Sequence, residues 1–340
     1  MNSTVPPLVI RFGAIGDLIV TTPLLRALHL RHGRPCDVLA RGNWPSQVFR
    51  ELPFVGTLKT IKRKNVPYWL VPDKRELIRW LRARGEGPVY LFESDPNSHE
   101  LLQKAGVKIT VSCSSTGRLP HEHFIDYLAR LCGFTEKDEF FDPAPVLQVS
   151  PEEQADCHNW LEHIQCSGSR IVLIQTSSRK SGRWWRKDKK GWLTERWVEL
   201  IRSIVGLSPE SKILLCGSSG EKKNASGLVQ RVKDPRVISV AGDANLRRLF
   251  ALLRVADSLI SIDSGVAHAA AASGCPLVVL FGRTDPRDIG PRSSGSPVIV
   301  VTGPPGAPEP EGKKEWAKYH SMEGIAVDRV LDAWQSLRRS

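Results

Sequence analysis

Residues Ser258–Pro286 read SLISIDSGVAHAAAASGCPLVVLFGRTDP. Two short apolar runs, SLISI and PLVVLF, flank an alanine-rich run that ends in Gly274. The apolar runs are too short for helices and are bounded by turn residues, so they read as strands buried on both faces. The alanine run reads as a helix from about Gly265, closed by its glycine. Strand, helix, strand in this order makes a βαβ unit in a parallel sheet. The first strand stops at Asp263, and the backbone N–H groups of Ser264, Gly265 and Val266 then point out of the helix start. Such a start attracts anions through its free N–H groups and its dipole. For Asp263 taken alone, an ordinary N-cap is an equally good account. His268 lies four residues after Ser264, on the same helix face. D-S-G-x-x-H therefore gathers three polar groups at one helix start.

The same alternation extends outward in both directions. Toward the N-terminus, RIVLIQ, SKILLCG and RVISVAG read as strands, with TERWVELIRSIVG, GLVQRV and NLRRLFALLRVA as helices between them. A break at DPAPVLQVS precedes a helix announced by a capping box, Ser150 with Glu153. Before the break, PLVIRF, CDVLA, PVYLFES and VKITVS read as strands, and PLLRALHLRHG and HEHFIDYLARLCG as helices. Residues 303–315 read as a Pro/Gly-rich loop, and the chain closes on an amphipathic helix, GIAVDRVLDAWQSLRRS. The expected architecture is α/β, with two Rossmann-like doubly wound domains, 1–150 and 151–322, facing across a cleft. Residues 323–340 form a terminal helix that packs back. In such sheets ligands sit at the carboxyl ends of the strands.

Four further runs hold residues able to do chemistry. In IQTSSRKSGRWWRKDKKGW, residues 174–192, hydroxyl residues follow a strand end and a basic, Trp-containing tract follows them. One lysine beside a phosphate would matter there, while a solvated loop explains most of the charges. Basic residues interleaved with Trp184, Trp185 and Trp192 also resemble a nucleic-acid surface, without any helix-turn-helix or zinc-finger pattern. LLCGSSGEKKNA places Glu221 just past a strand end, where it binds ribose hydroxyls or simply starts a helix. FGRTDP puts Thr284 and Asp285 at another strand end, although TDP is also a plain turn. RFGAIGDLIVTTP, residues 11–23, has Gly13 and Gly16 but neither the third glycine of a dinucleotide fingerprint nor the Lys-Ser/Thr of a P-loop. Its glycine turn ends in Asp17, which repels phosphate. Either a helix begins at Thr22-Pro23 and Asp17 lies in the turn before it, or a helix begins at Asp17 and kinks at Pro23.

The 340 residues carry 48 Lys plus Arg against 36 acids, a net charge of +12. That balance favours an anionic partner: nucleic acid, a membrane surface or a phosphorylated substrate. Residues 59–84 alone hold nine Lys/Arg and two acids. They face an anionic substrate or headgroups, or form a solvated helix face. Seven cysteines show no C-x-x-C pattern, which suggests a reducing compartment. The N-terminus does not read as a signal peptide, and no apolar run reaches the ~18 residues of a membrane span. The expected address is cytoplasmic, with peripheral association with the inner face of the cytoplasmic membrane left open.

RFGAIGDLIVTTPLLRAL, the K-x-W of Lys190–Trp192 and DSGVAHAAAASGCPLVVLFGRTDP together resemble the bacterial ADP-heptose:lipopolysaccharide heptosyltransferases. The resemblance runs in order over nearly the whole chain, but residues 40–120 match poorly, and Leu193 stands where the family often has proline. It implies the GT-B fold and an inverting, metal-independent transfer without cofactor, from ADP-heptose to a lipopolysaccharide inner-core acceptor. It places the general base on Asp17. Donor contacts fall on Ser177, Ser178, Lys190, Glu221, Asp263, Ser264, Gly265 and His268, with Lys180 and Lys189 as rival lysines. Gly13, Gly16, Thr284 and Asp285 fall in loops near acceptor or donor. The implied acceptor is an anionic, lipid-linked glycan, and nucleic acid is not an expected partner. Two alternatives stand beside it: a GT-B enzyme for another sugar or a protein or glycan acceptor, and a basic nucleic-acid-binding module.

Overall fold

A computed structural model describes residues 4–62, 72–135, 137–177, 191–310 and 312–337. Ser178, Lys180, Trp184, Trp185, Lys189 and Lys190 lie outside the described residues. The chain divides into two compact units, Met1–Gln148 and Val149–Ser340.

In the first unit the elements run β1 (Leu8–Arg11), α1 (Ile15–Ile19), α2 (Thr22–His32), β2 (Cys36–Arg41), α3 (Pro45–Val48), β3 (Val55–Ile61), α4 (Pro72–Ala83), β4 (Val89–Leu91), α5 (Pro96–Ala105), β5 (Val111–Ser112) and α6 (Phe124–Leu131). The sheet order is β3-β2-β1-β4-β5, with every pair parallel. Leu8, Val9 and Ile10 of β1 are buried, as a central parallel strand requires. The order reverses between β1 and β4, so the loops leaving those two strands diverge and open a binding position.

The helix after β1 is neither of the two expected forms but both in part. Pro23 has no N–H to give the carbonyl of Ile19. The Thr22 hydroxyl donates to that carbonyl instead, at 2.8 Å. The chain therefore breaks into α1 and α2 with the Ile19 carbonyl still paired, and Pro23 takes an early position of α2.

In the second unit the elements run α7 (Pro151–His163), β6 (Arg170–Gln175), α8 (Thr194–Leu207), β7 (Ser211–Cys216), α9 (Lys222–Val232), β8 (Val237–Ser239), α10 (Leu246–Val255), β9 (Ser258–Ile262), α11 (Gly265–Ser273), β10 (Leu277–Phe281), α12 (Pro286–Ile289), β11 (Val298–Thr302), α13 (Lys313–Tyr319) and α14 (Val327–Leu337). The sheet order is β11-β10-β9-β6-β7-β8, again parallel throughout. Here the reversal falls between β6 and β9. Ser150 and Glu153 form the expected capping box of α7. Part of the expected 303–315 loop is helical, since α13 begins at Lys313.

The terminal helix α14 packs within this second unit. Val330 and Trp334 are buried in its core beside Ile260 and Leu280 of the sheet, and the Trp334 indole donates to Ser258 Oγ at 3.1 Å. Among the described residues, no helix is long and apolar enough to cross a membrane.

Candidate active site

The second unit builds its site where β6, β7 and β9 end. Gln175 stands opposite Cys216 on one side and Ser261 on the other, so the three following loops start level. Two residues on, the Ser177 hydroxyl donates to Glu221 Oε1 at 2.6 Å. Glu221 Oε2 accepts from both the backbone N–H and the hydroxyl of Ser218, at 2.7 and 2.6 Å. Both Ser177 and Glu221 are buried, and the Gln175 amide ties down the Ser177 carbonyl at 2.6 Å. A carboxylate has about four acceptor positions. The Ser177 hydroxyl and the Ser218 hydroxyl and N–H fill three of them and fix its orientation. Gly217 keeps this corner tight, because a Cβ there would lie 3.1 Å from that of Glu221.

Beside it, Ser264 is the N-cap of α11, accepting the Ala267 N–H at 3.4 Å. Asp263 is therefore not the cap, and the simpler account of that residue fails. Its backbone is held by the Leu280 carbonyl at 3.1 Å, and its side chain is buried at the strand end. Gly265 and Val266 occupy the first turn, whose N–H groups have no helical acceptor. One turn in, His268 is buried among the alanines of α11. Ser177, Glu221, Asp263, Ser264, Gly265 and His268 thus lie around one switch point.

Thr284 and Asp285 follow β10, next in the sheet. Asp285 caps the short α12 by accepting the Arg287 N–H at 2.9 Å. Its carboxylate also takes the Arg287 guanidinium, at 2.8 Å for the closest pair. Arg287 in turn lies over the Trp316 ring, 5.0 Å from its centre. Asp285 is committed to shaping this loop, while Thr284 stays half-buried. Trp192, read with the basic tract as a stacking surface, is instead in the core. It packs edge-on against Trp197 and donates to the Ile325 carbonyl at 3.1 Å, leaving no face for a base.

In the first unit, Asp17 sits in the opening turn of α1, just past β1. Its Oδ2 accepts the Ala14 N–H at 2.8 Å and its Oδ1 pairs with Arg11 at 2.7 Å. The side chain folds back over Gly13, where a Cβ would come within 2.1 Å of the Asp17 Cβ. Gly13 is thus required by the aspartate itself, and Gly16 lies within α1. About a third of the Asp17 side chain remains exposed, which leaves it accessible.

Sequence reasoning passed over Glu93. Its Oε1 accepts the Phe12 N–H at 2.7 Å and lies 3.5 Å from Arg11. Cys113, close enough to feel both charges, is pushed up to about 11, chiefly by burial, so it stays a neutral thiol. Among the described residues no group of His, Cys, Asp and Glu is arranged to hold a metal ion.

The comparisons bear on both units. Lipooligosaccharide heptosyltransferase 2 of Haemophilus influenzae is 28% identical over 197 residues, 57% of this chain and 55% of that protein. Lipopolysaccharide heptosyltransferase 2 of Salmonella typhimurium is 25% identical over 44% of this chain and 42% of its own length. The alignments thus span about half of these curated relatives. Among solved structures, a glycosyl transferase family 9 protein from Veillonella parvula superposes with a TM-score of 0.79 at 17% identity, covering 100% of this chain and 99% of that one. The E. coli ADP-heptose lps heptosyltransferase II gives 0.74 at 19% identity, covering 98% of each chain. These superpositions concern the fold, which is of the GT-B class: two Rossmann-like units in one chain. Residues 123–320 match the family described as glycosyltransferase family 9 (heptosyltransferase), and the chain belongs to that family.

Proposed function

We propose that the protein is an inverting, metal-independent glycosyltransferase that moves heptose from ADP-heptose to a lipopolysaccharide inner-core acceptor. The observation that carries this reading is the Ser177–Glu221–Ser218 constellation together with the α11 N-terminus at the neighbouring strand end, which supports a ribose next to a diphosphate. Family membership and the relatives' names support the choice of sugar and acceptor.

In this reading Glu221 accepts hydroxyls of the donor ribose. The diphosphate lies against the N–H groups of Gly265 and Val266, and the family resemblance adds Ser178 and Lys190, which lie outside the described residues, as further donors. An acceptor hydroxyl attacks the anomeric carbon from the face opposite ADP. Asp17 takes its proton, the new C–O bond forms, and the bond to ADP breaks with its electron pair on the phosphate oxygen. General-base assistance of this kind is worth about 10²–10⁴-fold. Charge gathering on the leaving diphosphate is met by donors already in place. The basic surface suits a phosphorylated, lipid-linked acceptor at the inner face of the cytoplasmic membrane.

The direct test is Asp17→Asn, assayed for transfer and for ADP binding by titration calorimetry. The expected result is turnover lowered by about 10²-fold or more with ADP affinity unchanged. Turnover at the wild-type level would remove Asp17 from the chemistry.

A further inference from the structure

Asp17 does not stand alone. Arg11, at the end of β1, reaches Asp17 Oδ1 with one terminal nitrogen at 2.7 Å. With the other it donates to the Phe92 carbonyl at 2.7 Å and approaches Glu93 Oε1 at 3.5 Å. The guanidinium lies over the Phe124 ring, 4.9 Å from its centre. Arg11 and Glu93 are both largely buried, at 13% and 11% side-chain exposure. The backbones are fixed as well: Ile10 pairs with Leu91, and the Phe92 N–H donates to the Ile10 carbonyl at 3.0 Å. Neighbouring strands of one parallel sheet thus place an acid, a base-positioning cation and a second acid in a row at the switch point.

A lone arginine beside a general base works against it. When that base takes its proton, the arginine loses its counter-ion. Unpaired after transfer, a largely buried guanidinium would be costly. Glu93 removes that difficulty, because the cation keeps a counter-ion when Asp17 is neutralised. We propose that Arg11 and Glu93 are positioning residues for Asp17, Arg11 fixing the carboxylate and Glu93 taking over as its counter-ion as the acceptor's proton arrives. The proton moves from the acceptor hydroxyl to Asp17, and Arg11 stays protonated throughout. This inference rests on Asp17 being the base.

The test measures kcat and donor KM for Arg11→Met, Arg11→Lys and Glu93→Gln, each alone and with Asp17→Asn. Misplacing a reacting group costs up to about 10²-fold, so Arg11→Met is expected to lower kcat by about 10–100-fold with donor KM unchanged. Arg11→Lys is expected to recover part of that loss, since it keeps the charge. Glu93→Gln keeps the acceptor for the Phe12 N–H and removes only the charge. It is expected to lower kcat about tenfold with the thermal midpoint preserved, whereas a merely structural Glu93 predicts wild-type kcat. In the Asp17→Asn background neither Arg11→Met nor Glu93→Gln is expected to lower the residual rate further. Should Arg11→Met fail to fold, Glu93→Gln decides the matter. Wild-type kcat in Glu93→Gln, or further loss in the double variants, would overturn the inference and leave Asp17 as the base. Full activity of Asp17→Asn itself would instead overturn the reading on which it rests.

Discussion

At the scale of single residues, the site depends on absent atoms as much as on present ones. Gly13 has no Cβ because the Asp17 side chain occupies that space at 2.1 Å. Gly13→Ala therefore has to push Asp17 off the Ala14 N–H and Arg11. The expected outcome is a fall in kcat of about 10-fold or more with ADP affinity intact, read by steady-state kinetics beside calorimetry. Unchanged kcat would mean the aspartate tolerates displacement. In the second unit, Glu221 accepts two hydroxyls and one N–H. Glu221→Ala removes a charged acceptor worth about 1.5–3 kcal/mol per hydrogen bond. ADP binding is expected to weaken by about 10–100-fold, with a smaller effect on 2′,3′-dideoxy-ADP, which lacks the hydroxyls. Equal loss for both nucleotides would separate Glu221 from the ribose.

At the scale of elements, stability and chemistry separate. The Ser150–Glu153 box closes the N-terminus of α7, and Glu153 also receives Arg247 of α10 at 2.7 Å. Ser150→Ala is expected to cost about 1 kcal/mol and lower the thermal midpoint by about 2–4 °C without changing kcat. A change in kcat at constant stability would tie α7 to the reaction. The same elements show what a sequence makes legible. The Ser150 box, the alanines of α11 and its Gly274 stop are local signals, and all can be read within a few residues. The N-cap of α11 is harder, because Asp263 and Ser264 are both good caps and only the folded backbone and the Ser264–Ala267 bond choose Ser264. β11 escaped notice because Val298–Thr302 sits between a Ser/Gly/Pro segment and GPPG, where turn signals outweigh a short apolar run. Glu93 was not legible for a different reason. Its partner, the Phe12 N–H, is 81 residues away, and only the pairing of β1 with β4 brings them together. Likewise the resemblance points to Ser177 and Glu221 separately, but their direct bond spans 44 residues and follows only from the fold.

At the scale of the whole molecule, two parallel sheets each present polar residues at the carboxyl ends of the strands around the reversal of strand order. The net charge of +12 belongs to this scale too. If it draws an anionic acceptor, raising salt from about 50 to 500 mM screens that attraction. Acceptor KM is then expected to rise several-fold with kcat little changed, and a salt-independent KM would argue for a neutral acceptor. The most direct measurement is mass spectrometry of truncated lipopolysaccharide acceptors after incubation with ADP-heptose and either the wild-type protein or Asp17→Asn. The account predicts the mass increment of one heptose on an inner-core acceptor with the wild type, and none with Asp17→Asn over the same period. No increment on any inner-core acceptor with the wild type, or an equal increment with Asp17→Asn, would contradict it.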